Sequence, residues 1–462
     1  MGTAGAGEIS DVTRELAAWI AGARVRPLPA EVVEKAKHHT LDTLSAMVSG
    51  SRLRPGELGI AYVRRQGAPP EASIAGTALL ASAELAAFAN GMTAHADETD
   101  DSHAPSFTHP GCAVIPAALA MAEREGRSGT ELLRSIVLGY ELCARSTMSL
   151  GRDELYAAGH STHAFGGLFG AAAAAGALAG LDETRSRWLL SYAAQQAAGI
   201  TCWARDEEHI EKAFHFGAMP ASRGVLAASL VAFGFSGVDD VLSGPRNFFE
   251  AFSEQPQPEL LTRELGARHE ILHANIKKWP VGSPIQAALD SAQRLRAEHR
   301  LTPERIARVR IRLPDIEAHV VDDRAMPDIN AQHLVTVMLL DGDLGFAAAH
   351  DYERMRDPAV RRLREVTTLI HDPELGAARP RRQAIVEVDT TDGRSLAHRT
   401  RAVRGTADDP MTRAEVEAKS LDLLTPVLGA ERTRELVAAV WDIEALADAR
   451  ELRALLAGRG DD

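Results

Sequence analysis

The chain has 462 residues, 45% apolar and 25% charged, an ordinary globular composition with room for two or three domains. A net charge of −13 and a pI near 5.7 argue against nucleic acid or an anionic membrane as partner, since both need a basic face. Three scattered cysteines, Cys112, Cys143 and Cys202, argue against a disulfide framework and point to a reducing, cytoplasmic setting.

Met1 to Gly7 is small and polar, with no apolar run behind a positive charge, so no signal peptide is expected. Helical spacing then dominates. Leu16, Trp19 and Ile20 share a face behind a cap at Asp11, and Pro27 stops that helix. A second helix runs from about Pro29 to Ser49. Others are expected near 79–92, 114–126, 130–147, 164–180, 183–199 and 219–234. The longest apolar run, Ala164 to Leu181, is mostly Ala and Gly. It is too weakly hydrophobic for a membrane span and reads as a closely packed core helix.

The period changes after residue 270. Arg308, Arg310 and Arg312 alternate with Val309, Ile311 and Leu313, which is strand periodicity. Ala384, Val386 and Val388 alternate with Ile385, Glu387 and Asp389. Thr391-Asp-Gly393 then makes a hairpin turn into a return strand at 394–402. Helices are expected at 283–298, 330–341 and 356–369 around these strands, and Arg379-Pro-Arg-Arg382 reads as a solvated turn. From Thr412 the pattern is helical again, over Ala414 to Leu424 and Glu431 to Leu455. The fold class is therefore mainly α: an all-helical domain, 1–269 plus 405–462, interrupted by an α+β domain at 270–404.

Chemistry concentrates in Gly91 to Gly111. His95, His103 and His109 are interleaved with Asp97, Glu98, Asp100 and Asp101, between two Ala-rich helices. Titratable groups this dense between buried segments suggest proton chemistry in a cleft, although a solvated loop could carry the same charges. Signatures for zincins, P-loops, dinucleotide binding and α/β-hydrolases are absent. His160-Ser-Thr-His163 is at most half a metal site, with no third ligand obvious, so no metal is expected. Lys212 and Lys277 stand out where arginine carries most of the positive charge. Each is either an ordinary surface lysine or a compact cation for a carboxylate.

Six segments, in order, resemble the MmgE/PrpD family of 2-methylcitrate dehydratases, cis-aconitate decarboxylases and iminodisuccinate epimerases. Leu41-Asp-Thr-Leu-Ser-Ala-Met-Val-Ser-Gly50 is similar to its "LDTLGVALAG" helix. His95 to His103 resembles "HALDFDDTH", and Thr108-His-Pro-Gly-Cys-Ala-Val-Ile-Pro116 resembles "HPSSAVIPA". Gly167 to Ala174 is similar to the helix after the family's active-site histidine. Lys212-Ala-Phe-His-Phe-Gly217 resembles "KxxHxG", and Val337 to Gly342 is close to a motif of the C-terminal domain. The resemblance implies a helical domain with an α+β lid, a homodimer, no metal or organic cofactor, and a site between the domains.

Carried over by residue, the family's acidic group falls on Glu98, its "DDT" on Asp100, Asp101 and Ser102, and its "HP" histidine on His109. The two site lysines fall on Lys212 and Lys277. The histidine before the Gly-rich helix falls on His160, with His163 as a competitor because the spacing to Gly167 is one residue longer. The resemblance thus implies His109 and His160 or His163 as proton-transfer groups, with Glu98 or Asp101 orienting one of them. Lys212, Lys277, Ser102 and His103 are the implied substrate contacts. Glu98 for aspartate, Ser102 for threonine and the segment Trp279 to Gln286 depart from the family pattern.

The implied activity is a cofactor-independent lyase on a small polycarboxylate, with water elimination as in 2-methylcitrate dehydratase as the leading expectation. Decarboxylation or epimerisation of a related acid is the alternative, and an inactive helical scaffold is a second one.

Overall fold

Burial follows helical spacing from the first element. In the helix Asp11–Gly22, Leu16 and Ile20 are buried. Its cap is Ser10 and not Asp11, with the Ser10 hydroxyl accepting from the Thr13 amide at 3.4 Å. The structure, a computed structural model, describes residues 9–459, so the Met1 to Gly7 segment lies outside the described residues.

Residue contacts divide the chain into two units. Unit 1 holds the N-terminal part up to Ala96, then Asp100–Ala274, then the chain from Leu423 onward. Unit 2 holds Asp97–Thr99 and Asn275–Asp422. These bounds differ from those expected at 270 and 404, for a reason visible in the hydrogen bonds. The Ile276 amide donates to the Gly405 carbonyl at 2.9 Å, Arg404 pairs with Glu415 at 2.9 Å, and Asp422 accepts from the Phe346 amide at 2.7 Å. Residues 405–422 are thereby tied to unit 2. The three-residue piece Asp97–Thr99 is held there by lysines: Lys277 Nζ donates to the Glu98 carbonyl at 2.7 Å, and Lys419 Nζ to that of Thr99 at 3.0 Å.

Unit 1 is built on the helix Thr162–Leu178, in which every residue except His163 is buried. Its small side chains let Gly129–Ser149, Gly111–Glu125 and Met219–Phe233 pack closely around it. The unit is helical apart from a two-stranded ribbon, β1 (Ala72–Ser73) and β2 (Leu80–Ala81), which the sequence pattern did not suggest. The helical run Ile210–Phe233 is long and apolar enough to cross a membrane by composition, but most of it is buried in the core. Within that run, Phe214–Ala218 forms one wide π turn. The turn sits where two backbones touch. A Cβ on Gly217 would lie 2.1 Å from the Gly91 carbonyl oxygen, so neither glycine can carry a side chain without displacing a helix.

Unit 2 contains a four-stranded sheet in the order β4-β3-β5-β6: β3 (Ile306–Pro314), β4 (Thr367–Asp372), β5 (Ala384–Thr390) and β6 (Ser395–Thr400). Strand β3 runs parallel to β4 and antiparallel to β5, and β5 and β6 form the hairpin expected around Gly393. Val309, Ile311, Leu313, Val386 and Val388 face a core completed by Leu289, Leu334 and Met338 from the helices Gln286–His299 and Ala331–Asp341. The alternate arginines face outward, with Arg310 pairing with Glu387 at 2.6 Å and Asp389 at 2.7 Å. One expectation fails here. The helix predicted over 356–369 ends at Glu365, and Thr367-Thr-Leu-Ile370 opens β4. β-Branched residues on a half-buried edge favour the strand. The last predicted helix is also broken. Ala430–Trp441 stops there, and 3₁₀ turns with a short helix at Arg453–Leu456 follow.

Candidate active site

The acidic, histidine-rich segment leaves the C-terminus of the helix Ala83–Ala94 at His95 and reaches the helix Gly111–Glu125 just after His109. Between them, His103 and Thr108 form an antiparallel bridge that closes the loop, the His103 amide donating to the Thr108 carbonyl at 2.8 Å. The residues gather into three groups, two in unit 1 and one in unit 2.

The first group is an imidazole cluster around Phe216. Asp100 is fully buried and serves two histidines: Oδ1 lies 2.9 Å from His95 Nδ1, and Oδ2 lies 3.1 Å from His109 Nδ1. The His95 ring stacks on Phe216 at 4.4 Å and the His163 ring at 3.9 Å, so the two histidines take opposite faces of the phenyl ring. His109 stands edge-on to His163 at 5.3 Å and to His95 at 5.2 Å. Lys212 Nζ lies 5.3 Å from the Phe216 centroid and 5.4 Å from that of Trp203, within cation–π range. Phe216 stands in the π turn beside Gly217, whose backbone touches that of Gly91, four residues before His95.

The electrostatics of the cluster separate its members. Burial pushes His163 well below the ordinary histidine range, and the charges of His109, His215, His95 and Lys212 push the same way. His163 is therefore neutral at pH 7, and its Nδ1 has no hydrogen-bond partner among the described residues. His215 falls to about 4, through burial and then the charge of His95. His109, by contrast, has a carboxylate beside it. Two imidazoles next to each other, one hydrogen-bonded to a carboxyl group and one not, suit transfer of a proton to or from a bound molecule. Lys212 supplies a cation at the same place.

The second group answers for two expected site residues. Asp101 does not face His109. Its Oδ2 accepts from Tyr140 at 2.5 Å and meets His39 Nδ1 at 2.7 Å, while Oδ1 accepts from the Gly111 amide at 2.8 Å. Burial would raise its pKa, but the hydrogen bond and charge of His39, then the Tyr140 hydroxyl, hold it below the usual carboxylate range. Asp101 is thus a clamp on the start of the helix Gly111–Glu125. His103 is buried, with Nδ1 2.7 Å from Ser106 Oγ and Nε2 3.4 Å from Glu270. It belongs to an internal charge network with Glu141, Arg145 and Glu270. Ser102 is buried nearby.

The third group lies in unit 2. Lys277 is buried and donates to the Glu98 carbonyl, with the Glu98 carboxylate 3.6 Å away. Asp97 pairs with His350 at 3.0 Å. Burial works against the His350 charge, but the hydrogen bond and charge of Asp97 outweigh it and raise its pKa to about 9. Asp328, buried in the same unit, is raised to about 7 by burial. The divergent segment after Lys278 is internal scaffolding: the Gln286 amide group bonds Trp279 N at 3.2 Å, Trp279 O at 2.8 Å and Val281 O at 3.0 Å.

His160 is not in the cluster. It forms a bridge with Ile200, and its ring meets Phe165 and Phe252. His163, one turn further, is the residue that reaches His109, because residues three apart at a helix start do not share a direction with the preceding loop. His95 and Asp100, expected only as members of the histidine- and acid-rich segment with no role given to either, join the site, and so does Phe216, to which no site role was given. His95, Asp100 and His109 also offer donors close enough together for a cation, a complete set that spacing alone did not reveal. Their separations of 2.9 and 3.1 Å are those of hydrogen bonds, which a shared proton set accounts for.

Comparison with known proteins matches the MmgE/PrpD N-terminal domain over residues 14–261 and the MmgE/PrpD C-terminal domain over residues 279–443. The chain belongs to the MmgE/PrpD family. Cis-aconitate decarboxylase of Homo sapiens is 26% identical, the alignment covering 97% of this chain and 95% of that one. The cis-aconitate decarboxylase-like protein oryM of Aspergillus oryzae is 25% identical over 97% of this chain and 98% of its own. A cis-aconitate decarboxylase of Aspergillus terreus is 23% identical over 97% and 96%. The protein is accordingly an enzyme of the MmgE/PrpD lyase type with the mainly helical architecture of that family, which removes the inactive-scaffold alternative.

Proposed function

We propose that the protein is a cofactor-independent decarboxylase of cis-aconitate or a closely related unsaturated tricarboxylate. The observation that carries this reading is the His109–His163 pair, one imidazole hydrogen-bonded to Asp100 and the other neutral, with the Lys212 ammonium beside them. The names of relatives aligned along almost the whole chain support decarboxylation over the dehydration expected from the sequence.

The chemistry sets the roles. Breaking the bond between carbon and a carboxylate releases carbon dioxide and leaves its electron pair on the organic acid. That pair spreads into the neighbouring double bond and carboxylate, and a proton must then be added to carbon. Lys212 is proposed to hold a substrate carboxylate, where a compact cation stabilises the growing negative charge, and Lys277 is kept as a proposed substrate contact on the family resemblance alone. His109, oriented by Asp100, is proposed to deliver the proton, with His163 completing the acid–base pair. Glu98, paired with Lys277, is proposed to set that ammonium's position, and Ser102 remains a proposed substrate contact. No metal is assigned a role. The proposed partner is the small polycarboxylate itself. The three free cysteines, two of them buried, support a reducing cytoplasm, and the family resemblance supports a homodimer.

The test is incubation of the purified enzyme with cis-aconitate, citrate, 2-methylcitrate and iminodisuccinate, read by product mass and a chiral assay. Carbon dioxide loss from cis-aconitate is expected. Water loss from citrate or 2-methylcitrate without any carbon dioxide release, or epimerisation of iminodisuccinate alone, would overturn the reading.

A further inference from the structure

Unit 2 carries a second convergence of metal-ligating side chains. Asp315 and His319 stand four residues apart on the helix Asp315–Val321, which begins where β3 ends. Strand β4 lies parallel to β3 with Leu313 opposite His371, so the register brings His371 beside the start of that helix. His371 Nδ1 is 3.3 Å from Asp315 Oδ1, and His319 Nε2 is 3.7 Å from the same oxygen. The two imidazoles meet edge-on at 4.4 Å. One ligand atom from each of the three side chains lies within 4.8 Å of the others.

We propose that Asp315, His319 and His371 form a binding site for a divalent transition metal, with zinc the ion they fit best. Bonds of about 2.0–2.1 Å in a tetrahedral site place neighbouring ligand atoms roughly 3.3–3.4 Å apart. The observed 3.3 and 3.7 Å sit around that spacing, and the shorter, between His371 Nδ1 and Asp315 Oδ1, is also a hydrogen bond. Two imidazoles and one carboxylate select zinc, copper, nickel or cobalt over calcium and magnesium, which prefer oxygen. The other nitrogen of His371, Nε2, lies 3.3 Å from Asp322 Oδ2. A carboxylate on the far nitrogen of a metal-bound histidine fixes the ring and raises its basicity, a common outer partner in such sites. Glu317 on the same helix is turned to Arg382 at 3.5 Å and is not a ligand.

All three ligands reach solvent, with side-chain exposures of 53%, 69% and 26%, so an ion can enter without unfolding. The fourth position of a tetrahedral ion is left for water. The consequence is structural: the metal pins a seven-residue helix to the edge strand β4. Nothing in the proposed decarboxylation passes through it.

The test uses the full-length protein, stripped by chelator and dialysed. It is titrated with Zn²⁺, and with Co²⁺ as a spectroscopic probe of tetrahedral geometry. Bound zinc per chain is counted after desalting, and Tm is measured with and without the ion. The His319→Ala/His371→Ala double variant is expected to bind one zinc fewer per chain than wild type and to lose the zinc-dependent rise in Tm. Asp322→Asn should weaken binding about ten- to one-hundred-fold while keeping the count. Because His319 is largely exposed, the single variant His319→Ala reports on binding even if the double variant folds poorly. Equal zinc counts and equal affinities in wild type and His319→Ala, or loss of the same zinc in His109→Ala, would overturn the proposal.

Discussion

Replacing Asp100 by asparagine tests whether one carboxylate organises the imidazole cluster. Asp100 accepts through separate oxygens, at 2.9 Å from His95 and 3.1 Å from His109, and it is fully buried. An amide of the same shape has one accepting and one donating side. Only one of the two Nδ1–H groups can then be satisfied, and the other imidazole must change tautomer or turn away. A hydrogen bond to a charged group contributes about 1.5–3 kcal/mol. At about 1.4 kcal/mol per tenfold in rate, Asp100→Asn should lower kcat roughly ten- to one-hundred-fold through His109. The assay is the initial rate of product formation on the acid identified by the substrate panel, with thermal unfolding as the control for folding. His95→Gln should show part of the same loss, and the double variant should lose less than the two singles combined, because both act through one group. A folded Asp100→Asn enzyme within about three-fold of wild-type kcat would refute this account, since that is under 1 kcal/mol.

Four other outcomes follow from the same contacts. His109→Ala and His163→Ala should each lose about 10²–10⁴-fold in turnover with the fold intact, whereas His160→Ala should be mild, and equal losses at His160 and His163 would put the cluster in doubt. Lys277→Ala should raise KM and lower kcat, Lys277→Arg should rescue it incompletely, and Lys278→Ala, whose ammonium lies over Trp279, should be mild by the same steady-state assay. Prolonged chelator dialysis should leave turnover unchanged, and restoration of a lost activity by one specific divalent ion would contradict metal-independent chemistry. The His350 pKa is raised from about 6.5 unfolded to about 9 folded, so its pair with Asp97 adds stability in full below pH 6.5 and loses it as pH rises through 9, about 3 kcal/mol at most. Urea unfolding across that window should show wild type losing more stability than His350→Gln, and parallel curves would remove His350 as the cause.

The helical part of the fold was legible because its apolar spacing is long and repeated, as in Ala30–Gly50 and Gly129–Ser149. Strands β3, β5 and β6 were legible because Arg308 to Leu313 and Ala384 to Asp389 alternate strictly. Strand β4 was hidden by the helix that runs into it: Val360 and Leu363 keep helical spacing up to Glu365, and only the two threonines mark the change. The helix Arg54–Gln66 escaped notice because it buries glycines as well as Ile60 and Val63, leaving few apolar residues to count. The end of unit 2 was placed too early because the helical pattern that resumes at Thr412 reads as a return to the helical domain, while the tie of 405–422 to unit 2 is a set of hydrogen bonds from Gly405, Arg404 and Asp422. Such long-range bonds leave no periodic trace.

The site was legible in its residue types and illegible in its directions. His95, Asp100 and His109 stand in a short segment that composition alone marks as unusual, Lys212, His215 and Phe216 stand in a second, and His163 stands in neither. What spacing could not supply is which of two adjacent acids turns inward. Outside a helix, neighbouring side chains point different ways, so only one of Asp100 and Asp101 can face His109 while the other faces His39 and Tyr140. The same holds for His160, on the loop, and His163, on the first turn of the helix. The π turn at Phe214–Ala218 rotates Phe216 by the extra residue it inserts, and the Gly91–Gly217 contact fixes how near His95 can come. A side chain at Gly91 or Gly217 would separate the two helices and take His95 off the phenyl face while leaving every candidate site residue type in place. The close approach of Gly91 and Gly217, as much as the histidine count, therefore underlies the Phe216 cluster on which the proposed proton transfer rests.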